Sequence, residues 1–227
     1  MKLYRLTDRI WVYPFEPERD RPNLCYIRGD RLSLAVDAGH SDDHLGEFYR
    51  ELENEGLKKP DMTVLTHWHW DHTLGMHAVH GVTIANEKTD GYLRAFRERL
   101  AREGSGWFLA PEESIRNEYA GGKPVIVTLP DMVFTGEMNI ELGGCPVRLL
   151  RSEASHTDDS TLVYAVNERV LFIGDAYCGS YPSWKHDPVL DGRLAETIGA
   201  TGAATCLSGH CGAQTKEEVL ADLARER

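Results

Sequence analysis

The run Thr66-His67-Trp68-His69-Trp70-Asp71-His72 places three imidazoles and one carboxylate within six residues. It follows directly on the apolar stretch Met62-Thr63-Val64-Leu65, the pattern of a buried strand that ends in a loop and delivers its side chains to a metal. Side chains alternate faces along a strand, so His67 and His69 should project together while Trp68 turns away. Asp71 and His72 then follow the bend and approach a second ion from a different direction. Imidazole nitrogen and carboxylate oxygen suit zinc, iron or manganese. The chain has only ten histidines in 227 residues, so chance clustering at a surface turn is a poor account of the run.

Three later segments supply what a metal pair would still lack. Ser155-His156-Thr157-Asp158-Asp159-Ser160 precedes the apolar run Leu162–Val166. Leu171-Phe172-Ile173-Gly174-Asp175-Ala176 reads as a buried strand ending in a carboxylate beside glycine, and Cys206-Leu207-Ser208-Gly209-His210 repeats the pattern with histidine. Taken singly, His156 or His210 reads as a structural histidine. Each lies at the end of a short apolar run, however, where strands can converge on one sheet edge, and together they complete a two-ion ligand set.

His67-x-His69-x-Asp71-His72, His156, Gly174-Asp175 and Gly209-His210, in that order, resemble the motif signature of the metallo-β-lactamase-fold superfamily. Val36-Asp37-Ala38-Gly39 resembles its first, non-ligand motif, whose aspartate supports the site from outside it. The likeness runs from about Leu3 to His210. It implies an α/β (α+β) chain folded as a four-layer αβ/βα sandwich of the metallo-β-lactamase type. It further implies that His67, His69 and His156 hold one ion, that Asp71, His72 and His210 hold the other, and that Asp175 bridges them.

The chemistry expected of two divalent ions follows from charge. Asp71 and Asp175 return only part of the ions' positive charge, so the centre stays electropositive and binds hydroxide. Metal coordination lowers the pKa of water from about 15.7 to about 7, which provides a nucleophile at neutral pH. Asp175 or Asp71 would orient the attacking water or relay its proton. The sequence contains no Gly-x-Ser-x-Gly elbow, and none is needed. The leading expectation is a zinc-dependent hydrolase, with iron or manganese as other occupants, cleaving an ester, thioester, lactone or lactam bond. Phosphodiester hydrolysis is a variant of that reading. An iron persulfide dioxygenase, an oxidoreductase of the same superfamily using two histidines and an aspartate, is the alternative, and a metal-binding module without catalysis is a third.

Composition fits an enzyme acting on a small molecule. At 41% hydrophobic content the 227 residues have ample material for a core. The formal charge of −11 disfavours nucleic acid, which demands a basic surface. Arg94, Arg97, Arg99 and Arg102, at helical spacing among glutamates, read as a solvated helix face. No segment approaches the length of a membrane span. Met1-Lys2-Leu3-Tyr4-Arg5 lacks the apolar core of a secretory signal, so a cytoplasmic location is expected. The five cysteines form no Cys-x-x-Cys framework. Cys25 and Cys145 read as core residues, and Cys178 and Cys211 as packed thiols beside ligand motifs.

The elements that must position these residues are short. Strands are expected at 2–6, 10–15, 23–28, 32–37, 62–66, 82–85, 125–129, 132–134, 138–142, 146–151, 161–166, 169–174 and 204–207. A helix capped by Ser41 should run to Glu55 and close at Gly56, with further helices over 190–201 and 216–225. Residues 1–227 read as one domain. By the resemblance, 87–119 would be a helical lid or wall inserted near the active site; the other reading is a plain helical connection. Possible substrate contacts are Trp70, Tyr177, Tyr181, Trp184, Lys185 and His186, with Lys185 and His186 facing a substrate carboxylate. Trp68 is expected in the core. The chain leaves a single helix after His210, too little for the extra C-terminal helical domain of glyoxalase II.

Overall fold

Two sheets stack face to face and helices cover both outer surfaces, as the resemblance implied. The computed structural model describes residues 1–225. The first sheet comprises β1 (Tyr4–Arg5), β2 (Ile10–Tyr13), β3 (Leu24–Arg28), β4 (Ser33–Val36), β5 (Met62–Val64), β6 (Val82–Asn86) and β7 (Met132–Phe134), in that spatial order. The second runs β13-β12-β11-β10-β9-β8, from β8 (Glu137–Glu141), β9 (Pro146–Arg151), β10 (Thr161–Ala165), β11 (Val170–Gly174), β12 (Thr205–Ser208) and β13 (Gln214–Thr215). Hairpin neighbours pair antiparallel, while β4, β5, β6 and β7 pair parallel, as do β11 and β12.

Strand alternation decides which residues fill the middle. Ile10, Val12, Cys25, Ile27, Leu34 and Val36 meet Val147, Leu149, Val163, Phe172 and Leu207 between the sheets. The alternate positions Trp11, Tyr13, Tyr26 and Ala35 face outward onto α1 (Asp42–Asn54). That helix buries Leu45, Phe48, Tyr49 and Leu52, the i, i+3, i+4, i+7 stripe of a surface helix. Ser41 caps it by accepting from the His44 amide. On the other side α6 (Pro188–Gly199) and α7 (Lys216–Arg225) pack Leu194, Ile198, Val219 and Leu223 on the second sheet. Among the described residues, no helix is long and apolar enough to cross a membrane.

Two matching clasps start the parallel strands. Asp61 accepts from the Ser33 amide at 2.7 Å and its hydroxyl at 2.9 Å. Asp131 accepts from the Thr83 amide at 2.9 Å and its hydroxyl at 2.7 Å. In both, the aspartate's own amide donates back to the hydroxyl. Each clasp fixes where a parallel pair begins, and so where its far end delivers functional residues.

Three helices occupy 87–119: α3 (Glu87–Glu103), α4 (Gly106–Leu109) and α5 (Glu113–Glu118). On α3, Arg94 pairs with Asp90 and Arg99 with Glu103, so this basic face is internally neutralised. The strand expected at 125–129 does not form. Val127 is buried and Val125 and Leu129 half-buried against Phe108, Ile115 and Tyr119, so their alternation serves helix packing instead of a ladder.

Candidate metal centre

All seven expected donors converge at one end of the sandwich. Beyond β5 the chain leaves the ladder at Leu65, so His67 and His69 sit in the irregular loop that follows the strand. They still face the same way. Nε2 of His67 lies 3.1 Å from Nδ1 of His69, which lies 2.9 Å from Nε2 of His156. Trp68 turns away and packs half-buried against Tyr92 and Phe96. The one-turn helix α2 (Trp70–Thr73) then presents Asp71 and His72.

The second group is Asp71, His72, Asp175 and His210. Asp71 Oδ2 is 3.1 Å from His72 Nε2 and 2.9 Å from His210 Nε2. Asp175 Oδ2 is 3.5 Å from His72 Nε2, 3.4 Å from His210 Nε2 and 3.8 Å from His156 Nε2. Asp175 thus stands between the two groups.

Outer contacts aim the rings. Asp37, in the left-handed region at φ 66°, accepts from the Thr66 amide at 2.7 Å and lies 2.8 Å from His72 Nδ1. With Nδ1–H given to that carboxylate, Nε2 keeps a lone pair for a metal. The Gly179 carbonyl does the same for His156 Nδ1 at 3.0 Å. Gly209 allows the close approach: a Cβ there would fall 2.3 Å from Asp175 Oδ1 and 2.8 Å from His72 Cε1.

Electrostatics separate the two groups. Burial, reinforced by His72, holds the His67 imidazole well below its ordinary pKa, and burial with His156 lowers His69 to about 3. Both are therefore neutral donors. In the second group burial opposes charge, yet His72 and His210 hold Asp71 and Asp175 well below the carboxylate range. Burial would likewise lower His210, but Asp175 and Asp71 raise it to about 11. Metal would compete with protons here.

The residues fit divalent ions. His72 Nε2 and Asp175 Oδ1 are buried and make no hydrogen bond among the described residues. Both residues belong to the Asp71, His72, Asp175 and His210 group, whose four donor atoms lie within 4.8 Å of one another. Two orphaned polar atoms amid such donors are costly unless a cation completes them.

A cavity of about 390 Å³ opens over these groups. His69, Trp70, Asp71, His156, Asp175, Cys178, Tyr181, Trp184 and His210 line it. Three further expected contacts lie elsewhere. Tyr177 places its hydroxyl 3.1 Å from Cys211 Sγ, Lys185 is exposed, and His186 Nδ1 is 2.9 Å from Asp191. Asp20 and Glu112 also line the cavity, although sequence reasoning passed over both. Asn23, away from the cavity lining and likewise not foreseen, donates from Nδ2 to the Ser208 and Cys211 carbonyls at 2.8 Å each and so brackets His210. Buried Arg21 forms a bidentate pair with buried Glu118 of α5, at 2.9 Å in each arm.

A family model described as Metallo-beta-lactamase superfamily matches residues 19–179. The acyl-coenzyme A thioesterase MBLAC2 of Homo sapiens is 23% identical over 188 residues, covering 77% of this chain and 65% of that protein. The match therefore spans just under two thirds of that relative's length. A metallo-beta-lactamase from Pontibacter korlensis superposes with a TM-score of 0.68 at 16% identity, over 98% of both chains. The sec-alkylsulfatase Pisa1 from Pseudomonas sp. superposes with a TM-score of 0.72 at 12% identity, over 99% of this chain and 40% of that one.

Proposed function

Because the chain belongs to the metallo-β-lactamase superfamily, we propose that it is a dinuclear metal-dependent hydrolase of esters or thioesters, with lactones and lactams as cyclic variants of the same bond. The observation that carries this reading is Asp175, whose Oδ2 lies within 4 Å of His156 on one side and of His72 and His210 on the other. His67, His69 and His156 would hold one ion, Asp71, His72 and His210 the other, and Asp175 both. Zinc is the leading occupant for this nitrogen and oxygen set, with iron or manganese next. Two such ions supply an acidified water at neutral pH and a Lewis acid for the acyl oxygen.

The chain's own residues do the rest. Asp175 or Asp71 would orient the attacking water and take its one proton, which passes to the leaving oxygen or sulfur as the acyl bond breaks. Trp70 and Tyr181 wall the cavity from solvent, and α3 to α5 serve as a wall within one domain spanning 1–227. The thioesterase relative supports thioesters among the candidate bonds. An ester, thioester, lactone and lactam panel, run with the native chain and a His67→Ala, His69→Ala variant, tests the reading. Cleavage by the native chain that falls at least about 100-fold in the variant is expected. Turnover unaffected by the substitutions would sink it.

A further inference from the structure

The outer half of the cavity has a chemistry of its own. Trp70 and Tyr181 meet edge to face at 5.2 Å, and Tyr181 and Trp184 at 5.8 Å, so three aromatic rings form a corner. Trp184 is 59% exposed, which leaves a large aromatic surface at the mouth. A carboxylate anchors each of the inner two rings. Asp20 Oδ2 accepts from Trp70 Nε1 at 3.0 Å, and Glu112 Oε1 from the Tyr181 hydroxyl at 3.0 Å.

Neither carboxylate forms an ion pair with Lys, Arg or His among the described residues. The neighbouring cations are committed elsewhere: Arg19 to Glu16 and Glu118, and Arg21 to Glu16, Glu47 and Glu118. Among the described residues, the lining contains no Lys or Arg. A carboxylate- or phosphate-bearing substrate thus finds no cation at the mouth, whereas an organic cation finds aromatic faces and two carboxylates.

We propose that Asp20, Glu112, Trp70, Tyr181 and Trp184 form a subsite for an alkylammonium group, so that the substrate is an ester or thioester whose alcohol or thiol part carries a positive charge. This rests on the hydrolase reading for turnover but not for binding. Hydrolysis breaks only the bond between the acyl carbon and its oxygen or sulfur. The acyl carbon gains a hydroxyl, the leaving heteroatom gains a proton, and the ammonium group is unchanged.

Tryptophan fluorescence of the purified, metal-loaded chain tests the subsite without turnover. The probes are choline, its uncharged isostere 3,3-dimethylbutan-1-ol, and the anion 4-hydroxybutanoate. Choline is expected to bind about ten-fold tighter than the neutral isostere, with the anion weakest. Asp20→Asn and Glu112→Gln keep an acceptor oxygen for Trp70 and Tyr181 while removing charge, so the double variant should lose the preference. Equal or tighter binding of the isostere or the anion, no choline binding, or a preference that survives in the double variant overturns the proposal. If that variant does not fold, the ranking of the three probes on the native chain decides. Acetylthiocholine and 3,3-dimethylbutyl thioacetate then separate the two claims. A choline preference with neither thioester cleaved defeats the hydrolase reading alone. Equal cleavage of both without that preference defeats the subsite alone.

Discussion

The backbone amide of Asn23 donates to the carbonyl of Gly209 at 2.6 Å, joining residues 186 positions apart. The Asn23 side chain grips the carbonyls on either side, at Ser208 and Cys211, and accepts from the Phe15 amide at 3.0 Å. The loop that carries His210 is therefore held by the first sheet, although it grows from the second. Asn23→Ala should lose about 1–3 kcal/mol of stability through the orphaned carbonyls. Metal affinity should fall about 10–100-fold, as for other residues that orient ligands. Urea unfolding and competition with a chromophoric chelator measure the two effects, and an unchanged affinity would refute this role.

Gly209 offers a sharper separation of the two metal groups. The three atoms nearest an added Cβ are Asp175 Oδ1 and His72 Cε1 and Nε2, none of them from His67 or His69. Gly209→Ala should therefore weaken the second equivalent of metal by at least about ten-fold, and the first, which shares only Asp175 and keeps its three histidines, by less. Calorimetric titration of the metal-free protein resolves the two steps. Equal weakening of both would contradict the partition.

The Arg21–Glu118 pair ties α5, whose own Ser114 and N-cap Glu112 line the cavity, to the segment bearing Asp20. Both side chains are at most 1% exposed. Arg21 keeps Glu16 and Glu47 as partners, so Glu118→Gln should cost less than the about 3–5 kcal/mol of a wholly unpaired buried charge. The double change Arg21→Met, Glu118→Leu should cost less than the sum of its two singles. Denaturant midpoints of the set give the coupling, and strict additivity would argue against it.

The Thr83–Asp131 clasp predicts an acid dependence. The Thr83 amide, then its hydroxyl, hold the Asp131 carboxyl below its ordinary pKa. A carboxyl lowered on folding stabilises fully above its unfolded pKa, near about 3.9, and loses that contribution as pH falls through the lower folded value. The Tm advantage of the native chain over Asp131→Asn should therefore be constant at neutral pH and shrink below about pH 4. An advantage that grows on acidification would reverse the assignment.

The convergence of the candidate metal donors was legible because each motif is local, with short spacing at the end of an apolar run. Even so, His67 and His69 share a direction through a loop, not through the strand that predicted it, and Asp71 and His72 sit on a helical turn. The alternation of Val125, Val127 and Leu129 misled because buried helix contacts demand the same apolar residues as a ladder. Asp20, Asn23 and Glu112 escaped notice for another reason. Asp20 meets Trp70 across 50 positions, Asn23 meets Ser208 across 185, and Glu112 meets Tyr181 across 69. No local pattern encodes such partners. Lys185 and His186 show the converse, since loop residues near a motif need not face its cavity.

Titration of the metal-free chain with zinc, with thioester hydrolysis followed at each step, addresses the dinuclear assignment most directly. The account predicts negligible activity without metal and a rise that reaches its plateau at two equivalents per chain. A plateau at one equivalent, or activity restored only by iron with oxygen consumed, would contradict it.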